Sequence, residues 1–180
     1  MSDPVIVVPY DKTWKDEFQM IGGQIRQALG EIAVRIDHIG STSVTGLDAK
    51  PVIDIQISVD SLEPMDYRLG LEALGYIYRA DNPDLTKRYF RESGSMRRTH
   101  IHVRESGSWP EQFALLFRDY LREHLADCKR YADVKYQLAE KYQYERERYV
   151  EEKEPVIWEI ARKAHSWSQQ VGWKPGKTDI

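Results

Sequence analysis

The sequence predicts an α+β protein whose short strands and helices are followed by a C-terminal helical segment. Three observations predict it. Residues 13–29 carry apolar side chains at helical spacing, PVIDIQISV and RTHIHVRE alternate apolar and polar residues with a period of two, and beyond residue 107 apolar stripes spaced three and four apart take over. A chain of 180 residues is long enough to bury a real core and fits one compact domain with a helical appendage.

Thr13-Trp14-Lys15-Asp16 reads as a helix start, and Trp14, Phe18, Ile21, Ile25 and Leu29 form the apolar stripe of an amphipathic helix ending near Gly30. AVRIDHIG reads as a strand running into the Gly40-Ser41 turn. PVIDIQISV is a second strand, with Ile53, Ile55, Ile57 and Val59 on one face and Asp54, Gln56 and Ser58 on the other. Ser61 is placed to cap a helix through about Leu74, which Gly75 stops. GYIYRA, KRYFRE and RTHIHVRE read as short strands joined by loops rich in Asn, Pro, Gly and Ser.

Ser106-Gly107-Ser108 marks a boundary, because Ser108, Pro110 and Glu111 make a capping-box pattern ahead of the stripe Phe113, Leu116, Phe117, Tyr120, Leu121 and Leu125. A second helix is expected to carry Tyr131, Val134, Leu138, Tyr142 and Tyr149, and a third to begin at Pro155 with Ile157, Ile160, Ala161 and Ala164. The chain then divides into an α+β core over 1–107, helices packed on it over 108–166 and a poorly ordered tail over 167–180, ending in GWKPGKTDI.

Composition excludes several function classes. No apolar run approaches the roughly 18 residues of a membrane span, and MSDPVIVVPY lacks the pattern of a signal peptide. The single cysteine, Cys128, has no internal disulfide partner, so a reducing cytoplasm is the expected compartment. A net charge of -3 argues against a general nucleic-acid binder. The charge is uneven, however: TKRYFRESGSMRRTHIHVRE holds Lys87, Arg88, Arg91, Arg97, Arg98 and Arg104 against Glu92 and Glu105, a local field suited to a small polyanion.

A Gly-Ser turn after a strand lets backbone N–H groups approach phosphate oxygens, and Ser41, Thr42 and Ser43 add hydroxyls. Taken alone, GST is a weak signal that reads first as a structural turn, and its spacing to Asp54 is what favours phosphate. Asp54 follows on the polar face of its strand, where an oxygen ligand can hold Mg²⁺ or, alternatively, pair with an arginine. In THIHVRE, Ile101 and Val103 turn to the core while His100, His102 and Arg104 share the opposite face. If the two strands are neighbours, Asp54 and His102 converge, and the histidine is open to roles as general base, transition-metal ligand or hydrogen-bonded pocket residue. His38 can join them. Lys50 is placed to reach back to phosphates at Gly40, Ser41 and Thr42, Arg88 and Arg97 to clamp an anion with guanidinium forks, and Lys135 and Tyr142 to project toward the cleft from the helices.

HIGSTSVTGLDAKPVIDIQISV, then RTHIHV, then FRDYLREH and YADVKYQLAEKY, resemble the GrpB family over nearly the whole chain, from about Val5 to about His165. The resemblance implies the nucleotidyltransferase superfamily and its polymerase-β-like palm: a small mixed β-sheet flanked by helices, with Gly40-Ser41 at the phosphate turn and Asp54 at the first metal-ligand position. Domains of this kind are sometimes fused to dephospho-CoA kinase. Such transferases normally use two metal ions and two or three carboxylates. Here the second acid, two residues on, is Gln56, and the strand expected to bring the third offers His100 and His102. Glutamine gives a neutral carbonyl oxygen, and imidazole suits Mn²⁺ or Zn²⁺ better than Mg²⁺.

Three functions follow from this set. The first is a nucleotidyltransferase that moves a nucleoside monophosphate from a nucleoside triphosphate to an unknown small-molecule or protein acceptor with Mg²⁺ or Mn²⁺. It would use Asp54 and Gln56 at the metal, His102 and His100 as catalytic groups, and Gly40, Ser41, Thr42, Lys50, Arg88, Arg97 and Lys135 on the substrate. The second is a degenerate nucleotide- or coenzyme-binding module. The third is a transition-metal-dependent enzyme built on Asp54 and the histidines.

Overall fold

The computed structural model describes residues 4–180. Its elements are helix α1 (Thr13–Leu29), strands β1 (Arg35–Ile39) and β2 (Ile53–Val59), helix α2 (Arg68–Ala73), strands β3 (Tyr76–Tyr78), β4 (Lys87–Glu92) and β5 (Thr99–Glu105), and helices α3 (Trp109–Glu123), α4 (Leu125–Lys141) and α5 (Arg146–Val171). The strands form one sheet in the order β1-β2-β5-β4-β3. The central pair, β2 and β5, is parallel and the other neighbours are antiparallel, so the sheet is mixed.

Alternation along the strands gives the sheet two unlike faces. Ile53, Ile55, Ile57 and Val59 of β2, Ile101 and Val103 of β5 and Phe90 of β4 are buried against Trp14, Phe18, Ile21, Ile25 and Leu29 of α1 and Leu71 of α2. The opposite face is polar. A second apolar cluster joins Val44 and Leu47, just after the Gly40-Ser41 turn, to Tyr120, Leu121, Tyr131, Val156 and Ile160 of α3, α4 and α5. Those loop residues anchor the three helices against the polar face, where α3 covers Gln56 and a cleft is left open over Asp54 and His102.

Helix α1 starts at Thr13, as the sequence predicts, with Asp11 Oδ1 accepting from the Thr13 N–H at 2.8 Å. Other local expectations are corrected. Ser61 caps no helix: its hydroxyl donates to the Glu63 carbonyl, and α2 starts only at Arg68. Pro64, which lacks an N–H and biases Glu63 toward extended backbone, explains the delay. Ser108 sits at the N-cap of α3 with its hydroxyl unbonded, while the Glu111 carboxylate accepts from the Gly107 N–H instead.

The break between the last two helices falls at Tyr142, not at Pro155. Tyr149 belongs to α5, and Pro155 lies inside that 26-residue helix. Its missing N–H costs the helix one hydrogen bond, offset by the burial of Tyr149, Val156, Ile160 and Ala164. Leu125 is exposed and opens α4 rather than extending the α3 stripe.

The largest correction concerns residues 167–180. Helix α5 continues to Val171, and the segment after it lies along the outer edge of β1. Thr178 Oγ1 accepts from the Ile36 N–H at 2.9 Å, Asp179 Oδ2 accepts from the His38 N–H at 2.9 Å, and the Ile180 N–H donates to the Ile36 carbonyl at 3.2 Å. The segment supplies the edge strand with partners for its exposed backbone groups.

Candidate metal and anion site

The parallel register of β2 and β5 sets Asp54 beside His100 and Gln56 beside His102. Asp54 Oδ1 lies 3.2 Å from His102 Nε2 and 3.4 Å from His100 Nδ1. One ligand atom from each of Asp54, His100 and His102 falls within 4.8 Å of the others. The carboxylate keeps 27% of its side chain exposed, and Asp54 and His102 open to the cleft above the sheet with His100 beside them.

The antiparallel register of β4 adds Lys87, Tyr89 and Arg91 to the same face, opposite Arg104, His102 and His100. Lys87 Nζ donates to His102 Nδ1 at 3.2 Å, which makes the other ring nitrogen the one that donates to Asp54. Burial pushes His102 down to about 4. The imidazole is therefore neutral at physiological pH, and with Nδ1 accepting from Lys87 and Nε2–H donating to Asp54 it is badly placed for the general-base role expected of it; a metal ion held by Nε2 and Asp54 would take the place of that Nε2 proton. Burial works to raise the Asp54 pKa, and the hydrogen bonds from His100 and His102 outweigh it and hold the carboxyl well below the usual range. The base of the site is an anion flanked by two imidazoles and ringed by cations.

Gln56 is fully buried, and its Oε1 accepts from Arg104 at 2.6 Å while its amide donates to the Glu111 carbonyl at 3.3 Å. Both ends are occupied within the protein, so the metal-ligand role expected of Gln56 is not matched by its geometry; it positions Arg104. Gly40 (φ 71°) hugs Asp54, and Thr42 Oγ1 bridges His38 Nε2 and the Val52 carbonyl. Ser41 begins the short turn Ser41–Ser43 and bonds to the Tyr131 hydroxyl of α4.

Four expected residues lie elsewhere. Arg88 is on the apolar-face side of β4 and pairs with Glu63 at 2.9 Å. Arg97, in the loop before β5, pairs with Glu17 and donates to the Pro51 carbonyl at 2.6 Å. His38 faces α1, where its ring stacks on Phe18 with centroids 4.7 Å apart, and burial pushes it down to about 3. Tyr142 is buried in a small cluster with Val5 and Tyr149. Lys50 and Lys135 do lie near the turn. Lys50 sits 5.2 Å from the Tyr149 ring centroid and feels the Asp54 charge, and Lys135, 2% exposed, donates to the Asp48 carbonyl.

Above the trio lies a cleft of about 560 Å³ bounded by Gly40, Asp54, His102 and Arg104 below and by Trp109, Phe113, Phe117 and Trp158 of α3 and α5 above. The sequence does not single out the aromatic roof, and it offers Lys87 only as one cation of the basic segment. Lys87 had a readable signal: in KRYFRE only Phe90 suits the core, so parity sends Lys87, Tyr89 and Arg91 to the polar face and Arg88 away from it. Among the described residues no helix is long and apolar enough to cross a membrane.

Residues 4–163 match the family described as GrpB protein. A UPF0157 protein of Pseudomonas aeruginosa is 36% identical over 168 residues, covering 91% of this chain and 69% of its own length. The crystal structure of the conserved protein GrpB from Enterococcus faecalis has 32% identity and a TM-score of 0.81, over 88% of this chain and 96% of that one. The Cid1 poly(U) polymerase with MgGTP bound gives a TM-score of 0.53 at 14% identity, over 74% of this chain and 44% of Cid1. That likeness concerns the fold, which is nucleotidyltransferase-like. The chain spans about half the length of other curated relatives it matches, mycobacterial proteins named dephospho-CoA kinase among them, with 49% of their length covered. With nearly its whole length matched in sequence and the Enterococcus architecture reproduced around the same mixed sheet, this chain belongs to the GrpB family.

Proposed function

We propose that this protein is a metal-dependent nucleotidyltransferase, moving a nucleoside monophosphate from a nucleoside triphosphate to a small acceptor in the cleft above Asp54. The observation that carries this reading is the convergence of Asp54, His100 and His102 at the floor of a cleft that Lys87 and Arg104 make cationic, on a nucleotidyltransferase-like fold. Two imidazole nitrogens and one carboxylate oxygen fit a divalent transition ion such as Mn²⁺ better than Mg²⁺, which takes oxygen ligands. Asp54, His100 and His102 are the residues that would hold it, and when bound it supplies Lewis-acid stabilisation of charge on phosphoryl oxygens.

The protein's own groups do the rest. Lys87 and Arg104 attract and orient the anionic donor, and Gln56 fixes the Arg104 guanidinium. The Gly40-Ser41 turn brings backbone close to Asp54, and the roof of Trp109, Phe113 and Trp158 offers flat surfaces to a base.

The test is thermal unfolding against ATP, GTP, CTP, UTP and dephospho-CoA, each with Mg²⁺, Mn²⁺ or EDTA, in wild type and Asp54→Asn, followed by assay of pyrophosphate release with the stabilising nucleotide. A ligand at a hundred times its Kd adds about 2.7 kcal/mol of stability. A shift that needs both metal and Asp54 supports the transferase; no shift with any nucleotide overturns it. A second reading, a transition-metal enzyme of another class, is favoured by the one-carboxylate, two-imidazole donor set. Tight Mn²⁺ or Zn²⁺ binding without any nucleotide effect would select it.

A further inference from the structure

We propose that Lys50, Lys135 and Lys153, gathered around the rings of Tyr131 and Tyr149, form a seat for a condensed phosphate chain that binds without metal. This deepens the transferase reading and rests on it for its biological use, but the seat itself stands on separate residues.

Lys50 Nζ and Lys153 Nζ each lie 5.2 Å from the Tyr149 ring centroid, and Lys135 Nζ lies 4.5 Å from that of Tyr131. Among the described residues none of these three lysines has an ion pair with a carboxylate, whereas the more exposed Lys129 and Lys163 do. Like charges brought together repel and burial adds to the cost, and Asp54 near Lys50 and Asp48 near Lys135 offset only part of it. Burial first, and then mutual repulsion, pushes Lys50 down to about 8 and Lys135 down to about 7. Arg146 and Arg98 add positive field at Lys50.

A second observation is independent of charge. Tyr149 is fully buried, and its hydroxyl has no hydrogen-bond partner. A buried donor left unmade is costly, and a ligand oxygen is one way to satisfy it. The seat also joins the metal site: Tyr131 bonds to Ser41, the residue after Gly40, and Asp54 acts on Lys50. Several closely spaced cations with tyrosine hydroxyls match several closely spaced anionic oxygens. Condensed phosphate has that chemistry, and a lone sulfate or carboxylate does not.

The experiment titrates the full chain in EDTA with sodium tripolyphosphate, with sulfate at matched ionic strength as control, reading the thermal midpoint and the heat of binding. Wild type is expected to bind tripolyphosphate saturably and sulfate not at all. Lys153→Ala should weaken binding at least tenfold and Tyr149→Phe several-fold, while Asp54→Asn leaves it intact. Without ligand, Lys153→Ala should unfold no earlier than wild type, since it removes repulsion; this separates lost binding from lost fold. Absence of saturable binding in EDTA, or equal binding by Lys153→Ala, overturns the seat. Tripolyphosphate binding without any metal-dependent nucleotide shift would keep the seat and discard the transferase, and the reverse pattern would do the opposite.

Discussion

Gly40 and Asp54 lie so close that a Cβ placed on Gly40 would stand 2.8 Å from Asp54 Oδ2. The backbone there, φ 71° and ψ -175°, belongs to a region that side chains other than glycine's avoid. Gly40→Ala is expected to lose about 1–3 kcal/mol from the backbone alone. It should also displace the carboxylate. Urea unfolding would read the first effect, and Mn²⁺ titration of the folded variant the second; a variant with wild-type stability and affinity would remove Gly40 from its role as the spacer beside Asp54.

His100 and His102 decide metal choice. Mg²⁺ seeks oxygen ligands, and the trio presents one carboxylate and two imidazoles. Equilibrium dialysis of the stripped protein should show Mn²⁺ or Zn²⁺ bound at least tenfold more tightly than Mg²⁺. Either His100→Ala or His102→Ala should erase that preference, and Lys87→Ala should not. Equal Mg²⁺ and Mn²⁺ affinities in wild type would show that the histidines are not ligands.

How much of this was legible in the sequence depends on parity and on distance along the chain. Alternation in PVIDIQISV and THIHV put Asp54, His100 and His102 on faces that meet once the strands are neighbours, and β2 and β5 are. Parity also separates Lys87 from Arg88: residue type alone favours the guanidinium fork as an anion clamp, but Arg88 is bound to Glu63 on the other face. Arg97 lies in a loop, where no periodicity fixes direction, and only the fold reveals its pairing with Glu17. Residues 172–180 show neither apolar stripe nor alternation, because they dock through backbone groups, the short side chains of Thr178 and Asp179 and two isolated large ones, Trp173 on Asp119 and Ile180 on the core, which leave no period to read.

Protonation of His38 should limit stability on the acid side. Burial holds its folded pKa at about 3, against 6.5 for an ordinary histidine. Between those values the unfolded chain binds the extra proton, so stability is present above pH 6.5 and is lost as pH falls toward 3. The loss from this one group is about 2 kcal/mol by pH 5. His38→Phe keeps a ring against Phe18 and leaves Thr42 its bond to the Val52 carbonyl. Urea unfolding from pH 7.5 to 4.5 should therefore show a shallower decline in His38→Phe; an identical slope would place the acid sensitivity elsewhere.

Asp179 fastens the C-terminal segment to β1. Its carboxylate accepts from the His38 N–H at 2.9 Å and from Arg118 at 3.0 Å, and Arg118 is 4% exposed. Asp179→Ala leaves a part-buried backbone N–H without an acceptor, a loss of about 1–3 kcal/mol. Arg118 retains Asp119, 2.8 Å away, so global unfolding need not follow. Hydrogen exchange should speed at the Ile36 and His38 amides in the variant while the β2 and β5 amides stay protected; unchanged exchange at His38 would mean that other contacts hold the segment.

Trp158 tests what the roof of the cleft is for. It is 51% exposed, beside Trp109 at 66%, and both line the cleft above Asp54. Exposed aromatic surface over a cationic, metal-ligating floor suits a ligand with a flat ring at one end and an anion at the other. If stacking on Trp158 contributes about 1–3 kcal/mol, as base stacking on aromatic side chains does elsewhere, Trp158→Ala should weaken binding of a nucleotide by about 5- to 150-fold. Ribose 5-phosphate, which lacks the ring, should bind both proteins equally, and Mn²⁺ affinity should stay at the wild-type level. Equal loss for the nucleotide and for ribose 5-phosphate would instead show that the substitution disturbs the floor through the packing of α5, and the roof would then be structural.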